Sequence, residues 1–337
     1  MNKRISALTL IAWVALGNPM LFSSCSNTQA ASPDSPKYYS EEQLSINYDQ
    51  PILYENLLLY PITAAESLEP LGNYLSLSEA IEKDKVEISE KSVGGNGGDE
   101  VNKLFIENLS NDTIMMLAGE VVKGGKQDRT LATDVVLAPR SGKYDVQVFC
   151  VEQHRWQPKE ENQVQNKPLE AMKFKASAPV VKNSIRKEAV VSKQQGKVWQ
   201  EVSSSNVKAQ VVTASDAYTA IENNAVYQQT EKDYKSNVME KLRDQKNVIG
   251  FIAITDQRIV GCDVFPSNQL FRAELSTILP SYINEAVHDG KKPILVQDSV
   301  QRYAERLFRS AKTQASYVQN HGYLFVHKGR GLHLNTY

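Results

Sequence analysis

Cysteine is scarce in this chain, three among 337 residues, and none of Cys25, Cys150 and Cys262 stands in a paired CxxC. Structural zinc sites use that spacing, so the sequence offers no metal centre, and no cofactor is expected. Neither sign of charge is in excess. With 38 Lys and Arg against 39 Asp and Glu, there is no basic field to attract a polyanion, and nucleic acid is excluded as an electrostatic partner. A G-x-S-x-G nucleophile elbow is missing, so no Ser/His/Asp triad can be placed. The apolar stretch near the start, Ile5 to Leu16, is shorter than the roughly 20 residues a membrane-spanning helix needs.

That stretch follows Lys3 and Arg4, which is the order of a secretory signal. Leu21-Phe22-Ser23-Ser24-Cys25 then resembles a bacterial lipobox, with Phe22 where the strict pattern has a smaller aliphatic residue. The expectation is a signal peptide over residues 1–24, cleavage before Cys25, and a lipid on Cys25 that anchors the protein to a membrane of the cell envelope. The alternative is cleavage after Ala30 or Ala31, which leaves a soluble periplasmic protein. Loss of Lys3 and Arg4 takes the formal charge from −1 to −3. Residues 26–36 are Ser, Asn, Thr, Gln and Pro with two alanines and one aspartate, a composition that buries too little to fold. A tether is expected over 25–50 and one domain over 51–337.

Within that domain the apolar patterning changes along the chain. Residues 57–62, 86–88, 104–107, 113–117, 133–137 and 144–151 read as strands, with turns at Asn111-Asp112 and Ser141-Gly142, and with 133–137 paired to 144–151. Leu75 to Ile81 begins a short helix. Gly94 to Gly98 make a loop, and 157–183 reads as a polar excursion. Tyr227, Tyr234, Val238 and Leu242 share a helical stripe. Residues 248–254 and 259–265 form a hairpin. Helices follow around Phe271 to Ile283, where Pro280 kinks the backbone, and around Val300 to Ala311 behind an Asp298/Gln301 capping box. A last hairpin joins 322–327 to 332–334. The fold class is α+β: an antiparallel sheet in the N-terminal half, helices and β-hairpins in the C-terminal half. Cys150 and Cys262 sit in apolar strands and read as buried thiols. Of the three C-terminal histidines, His333 is expected opposite Val326 and turned away from His327, which argues against a metal site.

Two segments can carry chemistry. In Glu120-Val121-Val122-Lys123-Gly124-Gly125-Lys126-Gln127-Asp128-Arg129, the paired glycines let a turn expose its N–H groups. Lys126 and Arg129 add positive charge, an arrangement that can hold an anion. It is not a Walker loop, because Glu120 stands at the first glycine position and Gln127 where Ser or Thr binds magnesium. In Cys150-Val151-Glu152-Gln153-His154-Arg155-Trp156, strand alternation puts Cys150, Glu152 and His154 on one face. Glu152 is the candidate base. It can equally form an internal ion pair with Arg129 or Arg155. Taken as paired strands, 133–137 and 144–151 would bring Glu152 back to the Arg129 loop, so that the two segments meet, Glu152 pairs with Arg129 and Trp156 covers the pair.

These motifs, Glu120 with Gly124-Gly125-x-Gln127-x-Arg129 and then Cys150-x-Glu152-x-x-Arg155-Trp156, resemble the ARG and Rhodanese-Phosphatase-superfamily-Associated Protein domain. Gly250-Phe251, Asp263-x-Phe265 and Leu270-Phe271 add to the resemblance, which covers Tyr54 to Val287. Its function is unknown, and its name reports genomic company rather than activity. The resemblance implies that Gly124, Gly125, Lys126, Gln127, Arg129, Glu152 and Arg155 form a functional cluster. The first expectation is an envelope lipoprotein that binds a small anionic ligand or a partner through 120–129 and 150–156, Trp156 included. The alternatives are an enzyme acting on an anionic, phosphate- or ADP-ribose-bearing small molecule, and a purely structural envelope protein. The lipid is directly testable: metabolic labelling with a fatty-acid analogue is expected to mark the wild type and not Cys25→Ala, and equal labelling of the two would refute the anchor.

Overall fold

The computed structural model describes residues 39–65, 74–91, 100–157, 173–294 and 297–337. The signal peptide, Cys25, the glycine loop after Lys91 and most of the 157–183 excursion lie outside those residues. The strands in chain order are β1 (Leu44–Ile46), β2 (Ile52–Tyr54), β3 (Leu57–Ala64), β4 (Tyr74–Ser76), β5 (Val86–Glu90), β6 (Lys103–Asn108), β7 (Thr113–Met116) and β8 (Val121–Gly124). They continue as β9 (Arg129–Leu131), β10 (Val135–Leu137), β11 (Gly142–Cys150), β12 (Phe174–Ala178), β13 (Val248–Thr255), β14 (Arg258–Val264), β15 (Gly322–His327) and β16 (Arg330–Thr336). The helices are α1 (Leu77–Glu82), α2 (Asn183–Lys187), α3 (Gln195–Lys208), α4 (Ala225–Asp244), α5 (Asn268–Asp289), α6 (Gln297–Phe308) and α7 (Ala311–His321), with a 3-10 turn over Tyr218–Asn223.

A seven-stranded antiparallel sheet runs β1-β3-β13-β14-β16-β15, with β2 also on β3. Its central strand β13 is buried at every position. A strand covered on both faces reads as a continuous apolar run, and the two faces of β13 do go to different cores. Phe251 and Ala253 pack with Tyr234, Val238 and Leu242 of α4 and with Leu275, Ile278 and Leu279 of α5. Ile252 and Ile254 pack with Val300, Leu307 and Phe308 of α6. The N-terminal half forms a six-stranded sheet β12-β8-β9-β11-β6-β5 and a small sheet β10-β7-β4, which share a core with α1. Helix α1 starts as its sequence demands, with a reciprocal capping box between Ser76 and Glu79 that satisfies two end donors.

The mixed α+β class holds, while four local expectations are corrected. The tether ends before residue 50, because Tyr39 is buried and β1 pairs with β3. The polar excursion ends before 183, since Phe174–Ala178 pairs with β8. The strands at 133–137 and 144–151 do not pair with each other: β10 joins β7, and β11 joins β6 and β9. Arg140 and Gly142, at φ 53° and 67°, turn the chain out of one sheet and into the next. The helix read through Ala311 breaks before it, because Ser310 caps a new helix.

Sheet closure depends on a glycine that its neighbours leave no room to replace. Gly261 has φ of +153°, and a Cβ there would lie 2.1 Å from the Thr336 carbonyl oxygen. Gly261→Ala is therefore expected to destabilise the fold by about 2 kcal/mol or more, read as a lower urea midpoint. An unchanged midpoint would show that β14 and β16 can separate freely.

Candidate functional site

The two motifs do meet, through β9 and β11. Cys150 pairs with Arg129 across the sheet, and Gln195 of α3 extends the ladder, its amide accepting from Cys150 N and donating to Cys150 O at 2.8 Å each. Beyond Cys150 the chain leaves the sheet, and Glu152 is buried beneath the 124–128 turn. Gly124 and Gly125 both have positive φ, 140° and 49°. A Cβ on Gly125 would fall 2.6 Å from Glu90 Oε1 and from the Phe174 ring, so only glycine fits that approach.

Arg155 is the hub. Its Nη1 donates to the carbonyls of Gly125 and Gln157, 2.7 Å each. Its Nη2 donates to Glu152 Oε2 at 2.6 Å, Gly124 O at 3.2 Å and Asp128 Oδ1 at 3.3 Å. Glu152 Oε2 also accepts from Asp128 N at 3.0 Å. Burial pushes the Glu152 carboxyl up, but Arg155, Ser215 and the Asp128 N–H outweigh it and hold it below the usual carboxylate range. Asp128 accepts from Gly124 N at 3.1 Å and from Thr219 Oγ1 at 2.8 Å, which docks the 3-10 turn onto the loop.

The sequence reading placed Arg129 against Glu152, and here it is corrected. Arg129 is fully buried and turns the other way, with Nη1 on Gln127 O at 3.1 Å and Gln127 Oε1 at 3.2 Å, and Nη2 3.6 Å from Glu90 Oε1. Strand alternation explains it, because residues paired across a ladder point to the same face, and the face Arg129 shares with Cys150 is not the one Glu152 reaches after the strand has ended. The expected cover over the ion pair is corrected too. Trp156 is 51 % exposed, its ring lying 5.3 Å from the Lys126 ammonium. Gln127 Nε2 donates to Gln153 O at 3.1 Å, and His154 is exposed.

The nest of N–H groups expected around the paired glycines exists, but it holds carboxylates of the chain itself. Glu90 Oε1 accepts from Lys126 N at 2.9 Å, and Asp128 fills the Gly124 N–H. Glu90 was missed, although its signal was legible: Ile88 and Glu90 alternate inward on β5, and an inward carboxylate at the end of an apolar face needs a cation.

A second polar centre was not anticipated. His333, on β16, puts Nδ1 2.6 Å from Asp134 Oδ2 and Nε2 2.7 Å from Asp263 Oδ1. Arg186 of α2 grips Asp263 with Nη1 at 3.0 Å from both oxygens, and donates from Nε to Ala118 O at 2.9 Å. Tyr282 OH donates to Asp263 Oδ2 at 2.6 Å, and Ala118 N to Asp134 Oδ1 at 2.6 Å. Glu120 accepts from Leu117 N at 2.5 Å. All are fully or almost fully buried. The register behind this differs from the expected one. Lys328 and Gly329, with φ of 51° and 77°, make a two-residue hairpin turn that pairs His327 with Arg330, and an irregularity between Phe325 and Val326 then sets His333 opposite Phe325. Both ring nitrogens of His333 are thereby engaged by carboxylates.

These surroundings set the protonation. Burial pulls His333 down, but Asp134 and Asp263 raise it to about 9. Burial, with Asp134 nearby, pushes Glu120 up to about 8. Burial and the neighbouring Glu120 put Glu274 well above its ordinary value. Burial raises Asp263, but Arg186 and His333 overcome it and hold Asp263 low. A raised folded-state pKa stabilises fully below the ordinary value and is lost as pH climbs through the folded one. The His333 contribution therefore fades from about 6.5 to about 9 and that of Glu120 from about 4.5 to about 8, while that of Asp263 fades in acid below its ordinary 3.8. The unfolding temperature is expected to be highest between about pH 3.8 and 4.5 and to fall from there towards pH 9, with a shallower fall in Glu120→Gln. A flat profile from pH 6 to 9 would contradict the assignment.

The family model of the ARG and Rhodanese-Phosphatase-superfamily-associated Protein domain matches residues 45–333, a span that holds both polar centres. No curated protein and no solved structure matches the chain.

Proposed function

The chain belongs to the ARG and Rhodanese-Phosphatase-superfamily-associated Protein domain family, and from that premise we propose a lipid-anchored envelope protein that binds an anionic, ring-bearing group without transforming it. The contact residues are Lys126 and Trp156. One observation carries the reading: Trp156 is half exposed, on a segment that Arg155 ties down from below, with an ammonium at its ring. A rigidly held tryptophan offers large area at little entropic cost, which is why such residues dominate binding surfaces. An aromatic face beside a cation suits a ligand with a ring and a negative group.

The rest of the cluster supports this surface from beneath. Arg129 and Arg155 spend their guanidinium groups on Glu90, Glu152, Asp128 and backbone carbonyls, so they brace rather than receive. Glu152, held below the usual range by Arg155, is a weak base, which disfavours the enzymatic alternative. The lipobox at Cys25 supports the anchor, and no helix among the described residues is long and apolar enough to cross a membrane.

Tryptophan fluorescence tests the proposal with ADP-ribose, which carries both ring and phosphates, against inorganic phosphate and adenosine. Saturable quenching by ADP-ribose is expected, lost in Trp156→Ala and weakened about tenfold in Lys126→Ala, with ADP-ribose recovered unchanged by chromatography. Quenching that persists in Trp156→Ala, or the appearance of a cleavage product, would overturn it.

A further inference from the structure

On the other side of the glycine turn, Lys123 of β8 leaves the brace and lines a separate cleft of about 220 Å³ between the 3-10 turn, α4 and α5. At about 30 Å³ for each water of liquid, that is room for about seven waters, or a ligand of roughly ten non-hydrogen atoms. Its walls are the rings of Tyr218 and Tyr227 with Ile221 and Pro280, and both tyrosines are buried.

The polar groups are divided between floor and mouth. Asn284 lines the cleft and is only 1 % exposed. Its Nδ2 donates to Tyr218 OH at 3.3 Å, and Tyr218 OH already accepts from Lys182 N at 2.9 Å. Asn284 Oδ1 has no hydrogen-bond partner among the described residues. Tyr227 also shares a side-chain hydrogen bond with Asn284, and the Oδ1 left over in a buried amide is a cost that a hydroxyl of a bound molecule would remove. At the mouth stand two ion pairs, Lys123 with Glu222 at 2.9 Å and Lys235 with Glu231 at 2.9 Å. All four residues line the cleft.

We propose that this cleft binds a zwitterion of amino-acid size with a hydroxyl-bearing side chain. A ligand of single charge must break a mouth ion pair and leave one member without a partner. A ligand with an ammonium and a carboxylate inserts between the members and leaves neither unpaired. Its ammonium faces Glu222 and Glu231, its carboxylate faces Lys123 and Lys235, and its side chain enters between the tyrosines towards Asn284. The four charges cancel, so the mouth carries no net attraction for a simple anion, and this site is separate in both position and ligand from the Lys126–Trp156 surface.

Isothermal titration of the full-length protein with L-serine and L-threonine, and with their N-acetyl and methyl ester forms, tests this. The free amino acids are expected to bind about tenfold more tightly than either blocked form, the scale of one charge-assisted hydrogen bond. Glu222→Gln is expected to erase the advantage over the N-acetyl form, and Lys123→Gln the advantage over the ester. Both side chains are partly exposed, so neither change threatens folding, and a merely structural role would not separate amine from carboxylate. No heat with either free amino acid at millimolar concentration, blocked forms that bind equally well, or advantages that survive both substitutions would each overturn the proposal.

Discussion

A protonated imidazole held between two carboxylates ties the two halves of this domain together. Asp134 comes from the loop before β10, Asp263 from β14, His333 from β16, and the Arg186 that completes the set from α2. No pair alone would justify its burial, since removing a charge from water costs more than one contact returns. The four together balance two cations against two anions, with Tyr282 and Ala118 filling remaining hydrogen-bonding positions. Phe265 stacks on the imidazole at 4.5 Å, which keeps water from competing. The sheets on either side have apolar cores of their own; the ionic set fixes how one meets the other.

Much of this was legible in residue patterns and part was not. Period-2 and period-3.6 apolar spacing located β13, β14, α4 and most of α5, because those elements bury whole faces. Strand partners escaped, since 133–137 and 144–151 are adjacent and β-rich, yet the left-handed residues between them send the chain to another sheet. The meeting of Gly124-Gly125 with Glu152–Trp156 was foreseen from a wrong pairing and arises from a different one, β9 on β11. His333 was set aside on a one-residue error of register, the change that reverses every side chain on a strand. Its real signal was a polar residue between Leu332 and Leu334, with Asp263 likewise inside an apolar run.

The glycine turn shows how a motif's chemistry can be right while its ligand is internal. Backbone N–H groups around Gly124 and Gly125 do gather negative charge, and the charge belongs to Glu90 and Asp128. Arg155 then neutralises Asp128 and Glu152, and Arg129 lies beside Glu90. A turn filled in this way is stiff, which suits it to holding outward-facing residues such as Trp156 in a fixed pose.

The hairpin turn at Lys328 and Gly329 places β16 between β14 and β15, and so puts the strand bearing His333 inside the large sheet rather than at its edge. Asp134 and His333 are 199 residues apart. During synthesis, everything up to the early strands can collapse around its own apolar core, but the one group that touches both Asp134 and Asp263 is not made until residue 333 emerges. Until then Arg186 can neutralise Asp263, while Asp134 waits for the imidazole that links it to Asp263. The same topology that locks the finished molecule therefore makes the joint between its halves one of the last contacts available to the growing chain.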